Sequence, residues 1–132
     1  MNNSSECQII HHWMRFTKSY RMLEQKIESR IREKAGLCLN DFYLLYYLGE
    51  SRNHEMKLQD ACEMIQMSQS ALSRLVQLLE GYNEPIIRRC ICHEDKRAVY
   101  ISLTAEGKAL YESIIQDIAD ILVEFSEVDF SR

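Results

Sequence analysis

The sequence has little proline and little glycine, with one proline and four glycines in 132 residues. Because these two residue types interrupt regular structure most strongly, their scarcity predicts a chain that is mostly helix. It also lacks any apolar run near the roughly 20 residues that a membrane-spanning helix needs. The amino terminus has no basic patch followed by an apolar core, so no secretory signal and a cytoplasmic location are expected. The length favours a single domain.

Cysteine provides neither a disulfide framework nor an evident metal site. The five cysteines form an odd number without regular spacing, and we expect reduced thiols that pack as small apolar residues. Cys90-x-Cys92-His93 contains ligand types that zinc prefers, but only one residue separates the thiols and no second ligand cluster is near in sequence. Gly-rich phosphate loops, Gly-x-Ser-x-Gly and HExxH are all missing, so neither an enzyme nor a cofactor is expected.

Charge is distributed unevenly along a chain whose net charge is −4. Residues 1–36 carry seven basic and four acidic residues, residues 37–103 carry seven and nine, and residues 104–132 carry two and seven. Charges are screened beyond roughly 8 Å at physiological salt, so local charge matters more than the total. The acidic total therefore neither excludes nor favours a nucleic-acid partner.

Long amphipathic helices are predicted at both ends of the chain. The first runs from about Glu6 to Lys34, and the last follows a Thr104 cap. A helix of about 28 residues spans roughly 42 Å, which is longer than a domain this small can bury against itself. We therefore expect part of the first apolar stripe to pack against a second copy. Its members are Ile9, Trp13, Phe16, Tyr20, Leu23, Ile27 and Ile31.

Two short helices and a polar connection are predicted next. Asn40 or Asp41 is expected to cap a very apolar helix, FYLLYYL, which stops at Gly49 and forms the centre of the core. The stretch ESRNHEMK is polar and is predicted to be a connection. A further helix is predicted at about Gln59 to Gln66.

The helix predicted from Ser68 to Glu80 has one apolar and one polar side. Leu72, Leu75, Val76 and Leu79 are expected to face the core. The other side has hydroxyls and amides but a single charge, Arg74, whereas a purely solvated face usually carries more Lys and Glu. Small polar groups and one arginine suit a DNA major groove. An ordinary surface helix is the alternative explanation.

A β-hairpin is predicted after this helix. The stretch PIIRRCI precedes a charged tip, CHEDKR, and the following AVYISL alternates in the manner of a half-buried strand. Arg88 and Arg89 lie on the first strand. Basic residues on a narrow ribbon can enter the minor groove beside the helix. Asp95 can hold the Arg97 guanidinium by a charge-assisted hydrogen bond. A solvated loop tip is the alternative.

These segments, LQDACEMIQMSQSALSRLVQLLE followed by IIRRCICHEDKRAVYISLTAEGKALYE, resemble the MarR family of bacterial regulators over about residues 37–112. The most specific marks are Asp95-x-Arg97, the strand AVYISLT and the following AEGK. The resemblance implies a winged helix-turn-helix homodimer on a palindromic operator, usually a repressor released by a small molecule or by oxidation. The DNA-binding residues that it implies are Ser68, Gln69, Ser70, Ser73, Arg74, Gln77, Lys96 and Arg97, with Asp95 supporting the wing.

The predicted fold is therefore mainly α with a small β-hairpin wing. Residues 1–36 and 104–132 are expected to be dimerisation helices, and residues 37–103 the DNA-binding lobe, within one compact unit. Two alternatives stay open: a redox- or metal-responsive regulator that uses its cysteines, and a winged-helix module that binds proteins without contacting DNA. The sequence names neither the operator nor the effector. Tyr43, Tyr46 and Tyr47 are more typical of core than of a ligand pocket.

Overall fold

Helices and a small antiparallel sheet make up residues 3–91 and 98–125, which are the residues that the structure, a computed structural model, describes. The predicted mainly helical fold with a β wing is confirmed. In chain order the elements are α1 (Asn3–Ala35), α2 (Leu39–Glu50), a 3-10 turn (Arg52–His54), β1 (Glu55–Lys57), α3 (Leu58–Ile65), α4 (Gln69–Glu80), β2 (Ile87–Ile91), β3 (Val99–Leu103) and α5 (Ala105–Phe125).

Helix α1 is as long as its apolar stripe predicts, and it packs against α5 only along its second half. Gly36 ends it in a left-handed conformation (φ 70°), where a side chain would be strained. The Nζ of Lys34 lies 2.7 Å from an oxygen of Asp117, and the Nζ of Lys26 lies 3.8 Å from Glu124. Because α1 and α5 run in opposite directions, the described part of α5 reaches back no further than about Leu23.

The first half of α1 projects beyond this contact as a helical arm, residues 3–22. At 1.5 Å per residue it is roughly 30 Å long. The stripe is almost fully buried at Ile31 and 8% exposed at Leu23, but Trp13 and Phe16 are each 60% exposed. Other large apolar residues exposed on the arm are Ile9, Ile10, Met14, Tyr20 and Met22. The projecting arm therefore leaves a large apolar surface uncovered within one chain.

Helix α2 lies at the centre of the core, as its composition predicts. Leu44, Leu45 and Leu48 are fully buried and pack with α3, α4 and the sheet. The predicted caps are wrong by two or three residues, because Cys38 occupies the N-cap position. Asp41 sits inside the first turn, where its carboxylate accepts the backbone N–H of Cys38 at 2.8 Å. The helix begins earlier than expected because that side chain reaches backwards.

The polar stretch predicted as a connection contains a strand. Residues Glu55–Lys57 form β1, which pairs with β3 so that Met56 lies opposite Ile101. The sheet therefore has the order β1-β3-β2 rather than the two strands expected. A segment of three residues with one half-buried side chain is too short to show an alternating apolar pattern, so the sequence does not predict this strand.

The base of the hairpin is tied to the start of α5. Thr104 caps that helix as predicted: its Oγ1 accepts the N–H of Gly107 at 3.0 Å, while its own N–H donates to the carbonyl of Ile86 at 3.1 Å. Gly107 is buried against the same Ile86 carbonyl, where a Cβ atom would overlap with it. The wing strands and α5 are therefore fixed to each other at this point.

Candidate nucleic-acid interface

Helix α4 has the two-sided character that the sequence predicts. Leu72, Leu75, Val76 and Leu79 are buried, with exposures between 0% and 8%. They pack on α2, α3 and β2. The helix before it, α3, ends at Ile65, and the left-handed conformation of its C-cap Gln66 (φ 63°) turns the chain so that α4 starts three residues later, at Gln69. The result is a helix-turn-helix with α4 as its exposed second helix.

Ser68 is the cap of α4, as predicted from its position. Its Oγ accepts the N–H of Ala71 at 3.2 Å and lies 3.4 Å from the Oγ of Ser70. Ser68, Gln69 and Ser70 are all exposed. The amino end of the helix therefore presents hydroxyl, amide and N–H groups to the outside, which are groups that bind phosphate or base edges.

The predicted polar face is continuous along α4. Ser70, Arg74 and Gln77 follow one another at one-turn spacing and are exposed, whereas Ser73 is half-buried. Arg74 has no ion-pair partner among the described residues. A guanidinium on an uncrowded helical face is available to bind the O6 and N7 atoms of guanine.

Strands β2 and β3 form the stem of the predicted wing, with Ile87 opposite Leu103 at the base and Ile91 opposite Val99 at the far end. Asp95, Lys96 and Arg97, together with Cys92 and His93, lie outside the described residues. The assignment of the wing tip to DNA therefore stays a prediction from sequence.

Arg88 and Arg89 do not act as a pair on the ribbon. Arg88 is exposed and lies opposite Ser102 on the outer side of the sheet. Arg89 points to the other side, where its Nε donates to the Oε1 of Glu80 at 2.7 Å. Successive strand residues face opposite sides of a sheet, which accounts for the divergence. The Arg89 guanidinium is therefore paired with the last residue of α4.

Sequence reasoning missed Lys57, which lies between the wing and α4. A small cleft of about 110 Å³ joins the end of β1, the start of α3, the start of α4 and the start of β3. Lys57 and Gln69 both line it. No motif marks this lysine, because its position depends on the short strand β1 that the sequence did not reveal.

The cysteines have contrasting environments. Cys38 and Cys62 are half-buried, and burial raises the pKa of both thiols, which favours the unreactive protonated form. Cys62 packs against the core near α4, as predicted. Cys7 and Cys90 are exposed, so the expectation of thiols that pack as small apolar residues is wrong for these two. Within residues 3–91 and 98–125, no three His, Cys, Asp or Glu side chains are grouped so that they could hold a metal ion. In the same ranges, no helix is long and apolar enough to cross a membrane.

Comparison with solved structures shows which proteins share this fold. Sco3205, a MarR family transcriptional regulator from Streptomyces coelicolor in complex with DNA, superposes with a TM-score of 0.80 at 23% identity over 95% of this chain and 76% of that one. NadR in complex with 4-hydroxyphenylacetate has a TM-score of 0.72 at 23% identity, over 86% and 77%. MepR, a transcription regulator of the Staphylococcus aureus multidrug efflux pump MepA, has 0.70 at 18%, over 96% and 84%.

These likenesses confirm the MarR-type fold that the sequence predicts. No curated protein sequence is significantly similar to the chain. The sequence profile of the family described as Transcriptional regulator SarA/Rot matches residues 26–114, which is more than half of the chain and includes α2, the helix-turn-helix and the wing. The chain therefore belongs to the SarA/Rot family of transcriptional regulators, and its fold is a winged helix of MarR type.

Proposed function

We propose that the protein is a cytoplasmic homodimeric repressor that binds a palindromic operator. The observation that carries this proposal is the exposed polar face of α4, where Ser70, Arg74 and Gln77 follow one another above a buried apolar side. A helix of this kind fits a major groove about 12 Å wide. Two such helices in a dimer would meet successive major grooves when they are roughly 34 Å apart.

Three sets of groups share the proposed contact with DNA. Arg74 reads a guanine, and Gln69 and Gln77 bond to base edges or phosphates on either side of it. Lys57, which lies beside Gln69, neutralises a phosphate at the edge of the same groove. Arg97, held by Asp95, enters the flanking minor groove. This last contact rests on the family resemblance.

The arm of residues 3–22 supports the homodimer. Its exposed aromatic side chains include Phe16 and Tyr20, whose rings stack with centroids 6.2 Å apart. Contiguous apolar surface of this extent on a regulator marks a protein interface. In a symmetric dimer each arm packs on the partner, so that one interface covers the apolar surface of both arms. The same interface fixes the two α4 helices relative to each other. The terminal helices are thus the proposed dimerisation region.

A cleft of about 770 Å³ is the proposed site for a small-molecule effector. It lies where the end of α1, the loop after α4 and the start of α5 meet. Tyr82 and Leu110 give it an apolar wall, and Glu84 and Glu106 line it with carboxylates. Lys34, the only lysine or arginine among the lining residues, is already paired with Asp117. These groups favour a ligand that combines an apolar body with positive charge.

The DNA-binding proposal is tested with the promoter DNA of the gene that encodes the protein. Footprinting should show a two-fold symmetric protected site, and binding should weaken steeply as salt increases. Arg74→Ala should cost about 1–3 kcal/mol of binding and relax base preference at one position of each half-site. Arg30→Ala is the matched control, because Arg30 is an exposed arginine on α1. The proposal is wrong if no site is protected, or if Arg74→Ala and Arg30→Ala bind alike.

A further inference from the structure

The end of α4 is fastened to the middle of the first wing strand. Glu80, the last residue of α4, accepts two hydrogen bonds from one residue of β2: Oε1 from the Nε of Arg89 at 2.7 Å, and Oε2 from the backbone N–H of Arg89 at 3.3 Å. A third bond runs from the N–H of Ile86, the residue just before β2, to the carbonyl of Leu79 in α4 at 3.1 Å. The side chain of Glu80 is 30% exposed and that of Arg89 is 37% exposed.

The contact lies on an open edge of the sheet. In the order β1-β3-β2, no strand among residues 3–91 and 98–125 lies beside the outer edge of β2. The N–H of Arg89 points to this edge and is satisfied by the Glu80 carboxylate rather than by another strand. An edge strand without such a partner can shift and twist more freely. Glu80 thus holds β2 at its middle residue.

We infer that Glu80 is a positioning residue for DNA binding, which sets the orientation of the wing relative to α4 through Arg89. This inference rests on the proposed function, in which α4 occupies a major groove while the wing reaches the adjacent minor groove. Both grooves can be occupied at the same time only if the angle between α4 and β2 matches the groove spacing. A charge-assisted contact at 2.7 Å together with a backbone hydrogen bond restricts that angle more than apolar packing alone.

The sign of the effect separates positioning from simple electrostatics. A carboxylate near a phosphate backbone opposes binding, so its neutralisation alone would strengthen the complex. It would also release the Arg89 guanidinium to bind phosphate. If Glu80 positions the wing, its neutralisation weakens the complex instead. Glu80→Gln keeps the size of the side chain and an acceptor oxygen, but removes the charge that holds Arg89.

The experiment compares wild type, Glu80→Gln, Arg89→Lys and the double variant on the operator defined by footprinting. Glu63→Gln is the control, because it removes an equal charge from an exposed residue of α3, the first helix of the helix-turn-helix. Each single variant should weaken DNA binding on the order of tenfold. The double variant should bind DNA no more weakly than either single variant. Hydroxyl-radical protection of the flanking minor groove should fade in these variants while protection of guanine N7 by α4 persists.

The inference is overturned if Glu80→Gln binds as tightly as Glu63→Gln or more tightly, or if the two single effects add. It is also overturned if protection of the minor groove and of guanine N7 fades together in variants whose circular dichroism is that of wild type. The loss of DNA contact would then not be confined to the wing. Failure of the proposed function would be seen separately, because wild type itself would then protect no site.

Discussion

Substitution of Trp13 tests whether the arm forms the dimer interface. Trp13 is 60% exposed in the single chain. An aromatic side chain can bury about 200 Å², so covering this fraction removes about 120 Å² from water, worth about 3 kcal/mol. In a symmetric dimer the contact occurs twice, for about 6 kcal/mol. If half of that is realised, Trp13→Ala raises the dimer dissociation constant about 100-fold.

Sedimentation equilibrium across a range of protein concentrations measures this dissociation constant directly. Leu78→Ala is the control, because Leu78 is 69% exposed but lies on α4 rather than on the arm. It should leave the dimer unchanged. Thermal stability is a poor substitute for this assay, because the melting temperature of a dimer depends on its concentration. If Trp13→Ala and Leu78→Ala dimerise equally well, the arm is not the interface and the reasoning from its exposure is refuted.

Three further predictions concern stability. Gly107→Ala places a Cβ atom against the Ile86 carbonyl and should lower the melting temperature sharply, whereas Gly81→Ala meets only ordinary contacts from 3.4 Å and should not. Leu72→Ala removes a fully buried side chain and should cost about 2–5 kcal/mol in urea unfolding. Burial, with Tyr20 and Glu24 nearby, raises the pKa of Tyr43 to about 12 from 10.0. The stabilisation that comes from protonated Tyr43 is therefore intact below pH 10.0 and is lost as the pH rises toward 12. Tyr43→Phe should flatten this alkaline decrease in the free energy of unfolding. If the free energy of unfolding falls with pH equally in wild type and variant, the assignment is contradicted.

Features that repeat along the sequence were predictable. The spacing of Leu72, Leu75 and Leu79 alone indicates which side of α4 is buried, because a helix returns to the same face every three or four residues. The cap at Ser68 was equally readable, since a hydroxyl before an apolar helix satisfies otherwise free N–H groups. The candidate site follows from these two local rules, because the residues opposite the buried side are necessarily the exposed ones. The fold was predictable to the extent that it consists of amphipathic helices.

Features that depend on contacts across the chain were not predictable. Strand β1 is recognisable only from its pairing with β3, since three residues carry too little periodicity. Without β1, nothing places Lys57 beside Gln69. The contact between Glu80 and Arg89 joins residues that are nine apart and depends on which edge of the sheet lies against α4. Sequence reasoning treated Arg88 and Arg89 alike, and only their opposite sides on β2 separate them.

Part of the acidic excess behind the net charge of −4 lies on α5 rather than on the helix-turn-helix. Two of the carboxylates on α5, Asp117 and Glu124, face lysines of α1, so part of the acidity holds the two long helices together. On the helix-turn-helix side, Arg74 and Lys57 have no ion-pair partner among the residues described. Screening over roughly 8 Å prevents the carboxylates of α5 from opposing these cations at a distance. In the proposed complex, DNA therefore meets the charges of α4 and its neighbours, and the total charge is a poor guide to binding.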